Sequence, residues 1–125
     1  MKIERFEELE CWQQARALVK MVYQVIHESS TLSADYRFAG QLSSAAVSVM
    51  SNVAEGFSKE TDKEFLRGLW IAKGSAAEVQ SLSYAAIDLE YISDITQQTI
   101  YKQAENVCKL ISGMIRYLQK SNTSK

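Results

Sequence analysis

The sequence predicts an all-α protein: a single domain built as an antiparallel, up-and-down four-helix bundle. Three observations carry this expectation. The 125-residue chain has no proline and only five glycines, so it lacks the frequent turn and edge residues of a β protein. Apolar residues recur at intervals of three and four along four separate stretches. The links between those stretches are short, which favours antiparallel neighbours.

The first helix is expected from about Glu8 to Glu28, where Leu9, Trp12, Ala15, Leu18, Val19, Val22, Tyr23 and Ile26 form one stripe. SSTLSAD, residues 29–35, reads as a polar break. The second helix is expected from about Asp35 to Gly56, with Phe38, Leu42, Ala45, Ala46, Val49 and Val53 on one side and Gly56 as its C-terminal stop. Thr61-Asp62-Lys63-Glu64 fits a capping box, in which a hydroxyl and a carboxylate satisfy free backbone donors. The third helix therefore starts there and reaches Leu89 or beyond. Phe65, Leu69, Ala72, Ala76, Val79 and Ala86 make one heptad seam on it, with Ser83 as its polar member; Leu66, Trp70, Ala77, Tyr84 and Tyr91 make a second. Two seams mean neighbours on two sides. Ser93 is the expected cap of the last helix, which runs through Tyr101, Ala104, Val107, Cys108, Ile111, Met114, Ile115 and Leu118. The bundle is placed at residues 1–120, and the tail SNTSK, residues 121–125, is expected to fray.

Composition narrows the function classes. The hydrophobic share of 46% and the charged share of 23% are those of a soluble globular chain. A net charge of -1 and a pI of about 5.8 provide no global attraction to nucleic acid or to anionic membranes. No stretch approaches the roughly 18 apolar residues that would span a bilayer, and MKIERFEELE lacks the apolar segment of a signal peptide. Cys11 and Cys108 stand far apart and read as small apolar residues of a reducing compartment. A cytoplasmic location follows as the expectation.

Residues able to carry chemistry are few. A di-iron bundle needs Glu-x-x-His pairs on facing helices; this chain has the single His27, preceded at three by Gln24. Cys11 has Ala15 on the next turn and no cation to activate it. The Gly74-Ser75 pair lies within a helix and not in a phosphate loop. No metal, cofactor or small-molecule substrate is expected, and no catalysis.

Two polar constellations stand out. Asn52 and Glu55 lie three apart on one helix, as do Ser75 and Glu78 on the next, and both helices are rich in glycine, alanine and serine. Small residues let backbones approach closely, and polar groups trapped there must find partners. Asn52, Glu55, Ser75 and Glu78 are therefore expected to form a structural clasp. Reading Glu55 and Glu78 as an acid–base pair lacks an accompanying nucleophile, metal ligand or second base. Lys59, Lys63 and Arg67 recur at four and form a candidate phosphate-facing stripe, diluted by Glu60, Asp62 and Glu64. Lys102, Lys109, Arg116 and Lys120 make a similar stripe on the last helix. Trp12, Trp70, Tyr84 and Tyr91 suit core or subunit contact better than base stacking. Leu66, Trp70, Ala77 and Tyr84 are the candidate subunit contact.

Several of these residues carry a family resemblance. FEELECWQQARALV resembles the opening F-x-x-L-x-V-W-x-x-A of the bacterial 23S rRNA intervening-sequence proteins. QLSSAAVSVMSNVAEGF resembles their Q-L/I-R-R-A-A-x-S-I-P-x-N-I-A-E-G-F, and KEFLRGLWIAKGSAAEVQSLSYAA their K-E-F-x-R-F-L-x-I-A-x-G-S-L-x-E-L. The resemblance implies a left-handed four-helix bundle assembled as a homopentamer, with no established biochemical role. A related group of the same fold, the accessory proteins of diversity-generating retroelements, forms a basic pentameric barrel that contacts nucleic acid. The family pattern falls on Asn52, Ala54, Glu55, Gly56, Gly74, Ser75 and Glu78. Two departures matter: the family's paired arginines fall on Ser43 and Ser44, and its proline on Met50. The expectation is thus a non-catalytic oligomeric scaffold or adaptor. The alternative is a partner of RNA, or of an RNA–protein complex, that uses a basic ring formed on oligomerisation.

Overall fold

The computed structural model describes residues 2–123. A 3-10 turn at Phe6–Glu8 leads into α1 (Glu10–Glu28), followed by α2 (Ser30–Ala34), α3 (Tyr36–Ser58), α4 (Asp62–Asp88) and α5 (Asp94–Thr123). Side-chain caps set most of the starts. Asp35 accepts the Phe38 amide at 3.1 Å, Thr61 accepts the Glu64 amide at 3.2 Å and Ser93 accepts the Thr96 amide at 3.1 Å. Each satisfies a backbone donor that the first helical turn leaves open. The start of α1 has no such cap; its flanking Leu9 is instead 0% exposed and anchors the entry by packing.

The long helices form a ring in which α1 lies beside α3 and α5, and α4 beside α3 and α5. The predicted core stripes face inward, except at Tyr23 of α1, which is 42% exposed at the margin of its stripe. On α4 the first seam, Phe65, Leu69, Ala72, Ala76, Val79, Ser83 and Ala86, is wholly buried. Leu18 and Val22 from α1, Leu42 and Val49 from α3, and Ile100, Val107 and Ile111 from α5 complete the core. Burying each such side chain contributes about 1.5–3 kcal/mol.

The element boundaries depart from expectation at four places. Residues 29–35 are more than a break: Ser29 caps α2 through the Leu32 amide, and Leu32 is fully buried. The apolar residue inside a polar stretch folds the link back onto the core. The first helix starts at Glu10, since the Phe6–Glu8 turn absorbs the residues before it. At the other end α5 continues to Thr123, so residues 121–123 are helical where a frayed tail was expected, and residues 124–125 lie outside the described part.

The fourth departure concerns Gly56, which does not stop α3. The helix runs on to Ser58, and the left-handed turn is made by Glu60 at φ 64°. Gly56 serves a different purpose. A Cβ on Gly56 would lie 3.2 Å from the Cα of Gly68, and one on Gly68 would lie 2.5 Å from the Asn52 carbonyl oxygen and 3.0 Å from the Gly56 Cα. Backbone meets backbone here, which leaves no room for a side chain.

The opposite end is closed by Tyr91. Its hydroxyl donates to Asp35 at 2.6 Å, its ring meets Phe38 edge-on at 5.6 Å, and its carbonyl accepts the Ser29 hydroxyl at 2.8 Å. The Tyr91 hydroxyl, helped by the Phe38 amide, holds the Asp35 carboxyl below its ordinary pKa, and Asp35 in turn raises that of Tyr91. Tyr91 sits there because α4 ends in a Schellman turn: Glu90 adopts φ 61°, and the Tyr91 amide reaches back to the Ala86 carbonyl at 2.9 Å.

Replacing Gly68 by alanine should cost about 1–3 kcal/mol, the range for forced overpacking. Gly40→Ala, where an added Cβ meets nothing within 4 Å, should be neutral or stabilise by about 0.5–1 kcal/mol. Urea unfolding of the two variants measures the contrast.

Candidate functional site

The residues singled out in the sequence fall on two faces of α4. The first is the α3–α4 interface, where small side chains allow close contact. Asn52 donates its amide to both the carbonyl and the hydroxyl oxygen of Ser48 on its own helix, each at 2.9 Å. The Ser48 hydroxyl meets the Ser75 hydroxyl of α4 at 2.9 Å. Asn52 and Ser75 are therefore brought together through Ser48, which the sequence counts among the small residues of its helix and not among the members of the clasp. Its signal was present, because Ser48 lies one helical turn before Asn52.

Glu55 and Glu78 do not join this clasp. Both are exposed, and among the described residues neither side chain makes a hydrogen bond or an ion pair. The physical reason is position: the inward places at this crossing are taken by Gly56 on α3 and by Ala76 and Val79 on α4, which leaves the carboxylates at the rim.

Below the clasp a small groove runs along the glycine crossing, lined by Glu55, Lys59, Glu64 and Arg67 with Ile71. Two carboxylates face two cations, so its charge is balanced. Lys59, Lys63 and Arg67 are all exposed, but Lys63 does not line this groove and the three do not make an unopposed positive patch.

The other face of α4 bears the second seam. Leu66 is half-buried against the core, while Trp70 is 51% and Tyr84 54% exposed with Ala77 open between them. The Lys73 ammonium lies 5.2 Å from the centre of the Trp70 ring. Tyr101 of α5 meets Tyr84 edge-on at 5.8 Å and widens the aromatic surface. The i, i+7 spacing made the α4 part legible, whereas the Tyr101 contribution depends on the register between α4 and α5. Tyr91, the last member of the seam, turns away to bond Asp35.

The groups with nucleophilic or ligating chemistry are dispersed. Burial pushes the Cys11 thiol up to about 11 and raises that of Cys108, against the pull of Lys73. Neither forms a thiolate at neutral pH. His27 is exposed at the end of α1, 6.4 Å from the Tyr23 ring. Among the described residues no group of three His, Cys, Asp or Glu is arranged to hold a metal ion. No helix of the described residues is long and apolar enough to cross a membrane.

The family described as 23S rRNA-intervening sequence protein matches the chain over residues 7–113. A solved structure with a similar fold is a protein of unknown function from the S23 ribosomal protein family of Bacteroides thetaiotaomicron. It shares 19% identity with this chain and superposes with a TM-score of 0.76, over 85% of this chain and 95% of that one. No curated protein matches.

Ser48→Ala should remove the link between Asn52 and Ser75 and destabilise the fold by about 1–2 kcal/mol. In a double-mutant cycle with Ser75→Ala, chemical unfolding should show a coupling of at least ~0.5 kcal/mol, and strict additivity would refute the clasp.

Proposed function

The chain belongs to the 23S rRNA-intervening sequence protein family, and from that footing we propose that it acts without catalysis, as a homo-oligomeric scaffold or adaptor in the cytoplasm. The observation that carries this reading is the row of Trp70, Ala77 and Tyr84, exposed along α4 and extended by Tyr101. Tryptophan and tyrosine are rich in interface energy, and exposed aromatic residues along one side of a small bundle suit a subunit contact. If that row on one copy meets another patch on the next, the assembly closes as a ring. A pentamer is the size that the family resemblance implies. The dispersed chemistry supports a non-catalytic role: the thiols are protonated, and Glu55 and Glu78 stand apart in solvent.

A second reading, contact with RNA, is favoured by the exposure of Lys59, Lys63 and Arg67. Repetition around a ring would add the charge that one copy lacks. Glu55 and Glu64 beside them oppose it.

Trp70→Glu, folded by circular dichroism, should sediment as a monomer while the parent protein sediments as an oligomer. An intact oligomer in the variant refutes the α4 contact, and a monomeric parent refutes the scaffold. For the second reading, structured ribosomal RNA fragments are titrated at low and near-physiological salt. Binding that weakens with salt, and does so less steeply after joint replacement of Lys59, Lys63 and Arg67 by alanine, supports phosphate contact. An absence of binding at low salt removes it.

A further inference from the structure

At the end of the bundle that holds the α3–α4 turn, the N-terminal segment and the turn enclose a groove of about 680 Å³. Its size falls within the ~300–1,000 Å³ of ordinary ligand sites. The lining is aromatic: Phe57 and Phe6 are partly exposed there, Phe57 meeting the buried Phe65 edge-on at 5.5 Å and Phe6 meeting Trp12 edge-on at 5.1 Å. The rim is acidic. Glu4, Glu7, Glu60 and Asp62 face it, against the single cation Arg5.

That cation is already engaged. Arg5 lies 2.6 Å from Glu7 and holds its carboxyl below the ordinary pKa. Among the described residues no cation pairs with Glu4, Glu60 or Asp62. Glu60 is held at φ 64°, a conformation that strains a non-glycine residue and is usually given to glycine at a helix end. The turn thus sets a carboxylate at the groove where glycine would fit with less strain.

The backbone beside the groove adds a third property. Arg5 is extended at φ -132°, ψ 142°. Among the described residues the amides of Ile3, Glu4 and Arg5 make no backbone hydrogen bond. Amides without backbone partners beside an extended residue are groups that an extended peptide can bond.

We propose that this groove docks an extended peptide segment that alternates lysine or arginine with apolar side chains, the apolar ones seated on Phe57 and Phe6 and the basic ones on Glu4, Glu60 and Asp62. The unopposed carboxylates repel phosphates, which separates the site from nucleic acid and anionic lipid. The groove is also separate from the aromatic row of α4, so this proposal and the scaffold reading stand or fall by different experiments.

The test uses the full-length protein and a fluorescein-labelled heptapeptide of alternating lysine and leucine, followed by fluorescence anisotropy at near-physiological salt. Two further peptides replace lysine by glutamate or leucine by serine. The basic, apolar peptide should bind, and each replacement should weaken binding by about tenfold or more. The protein variant Glu4→Lys/Glu60→Lys should lose a similar factor. Glu28→Lys/Asp88→Lys, the same change of net charge at the opposite end, should bind like the parent. Both variants are first shown to be folded by thermal melting. Failure of the basic peptide to bind overturns the proposal. So does equal binding by the rim variant, or an equal loss in the two variants, which would mean attraction to net charge alone.

Discussion

Gly56 of α3 and Gly68 of α4 meet backbone to backbone, and the α3–α4 hairpin is built outward from that contact. Helices usually pack 8–10 Å apart because side chains stand between them. Removing the side chains at one level pulls the two axes together and lets the short Lys59–Thr61 link join them. It also puts Ser48 within reach of Ser75, so that a hydroxyl pair spans the interface where longer side chains would not fit. The requirement is one of volume, and it explains small residues where a core would otherwise prefer leucine.

Apolar seams alone set register loosely, since one leucine replaces another at little cost. Polar contacts between helices remove that freedom. Ser48 with Ser75 ties α3 to α4, Gln97 donates to the buried Ser83 hydroxyl at 3.1 Å between α5 and α4, and Gln103 reaches the Gln14 carbonyl at 2.9 Å between α5 and α1. Tyr91 ties the α4–α5 link to the start of α3. A slip along any of these interfaces would leave a polar group without its partner, at about 1–3 kcal/mol if buried. Every side-chain polar atom that is buried among the described residues has such a partner.

Much of this was legible in sequence. The stripes of apolar residues, the first seam of α4 and the caps at Thr61 and Ser93 follow from local spacing and local chemistry. The second seam was also visible as a pattern, and its reading as a subunit contact already placed it outside the core. Ser48 was legible only as one small residue among several, and Gln97 not at all, because the bonding of a lone serine or glutamine in a helix shows only once a neighbour is placed beside it. Glu55 and Glu78 were assigned to the clasp by their spacing from Asn52 and Ser75. Side chains three apart on a helix are rotated by roughly 60° at 3.6 residues per turn, enough to turn one inward and the other to solvent.

The sequence by itself determined that this chain forms four long helices, where three of them begin, and which side of each faces the core. These depend on contacts between residues a few places apart. Only the tertiary structure decided that Gly56 makes room for Gly68 and does not end its helix, that Tyr91 leaves its seam to close the bundle, and that the N-terminal carboxylates join those of the α3–α4 turn around an aromatic lining. Each of those outcomes depends on the distance between residues far apart in the chain. Such distances are set by how whole helices pack, to which every core side chain contributes, and no single segment encodes them.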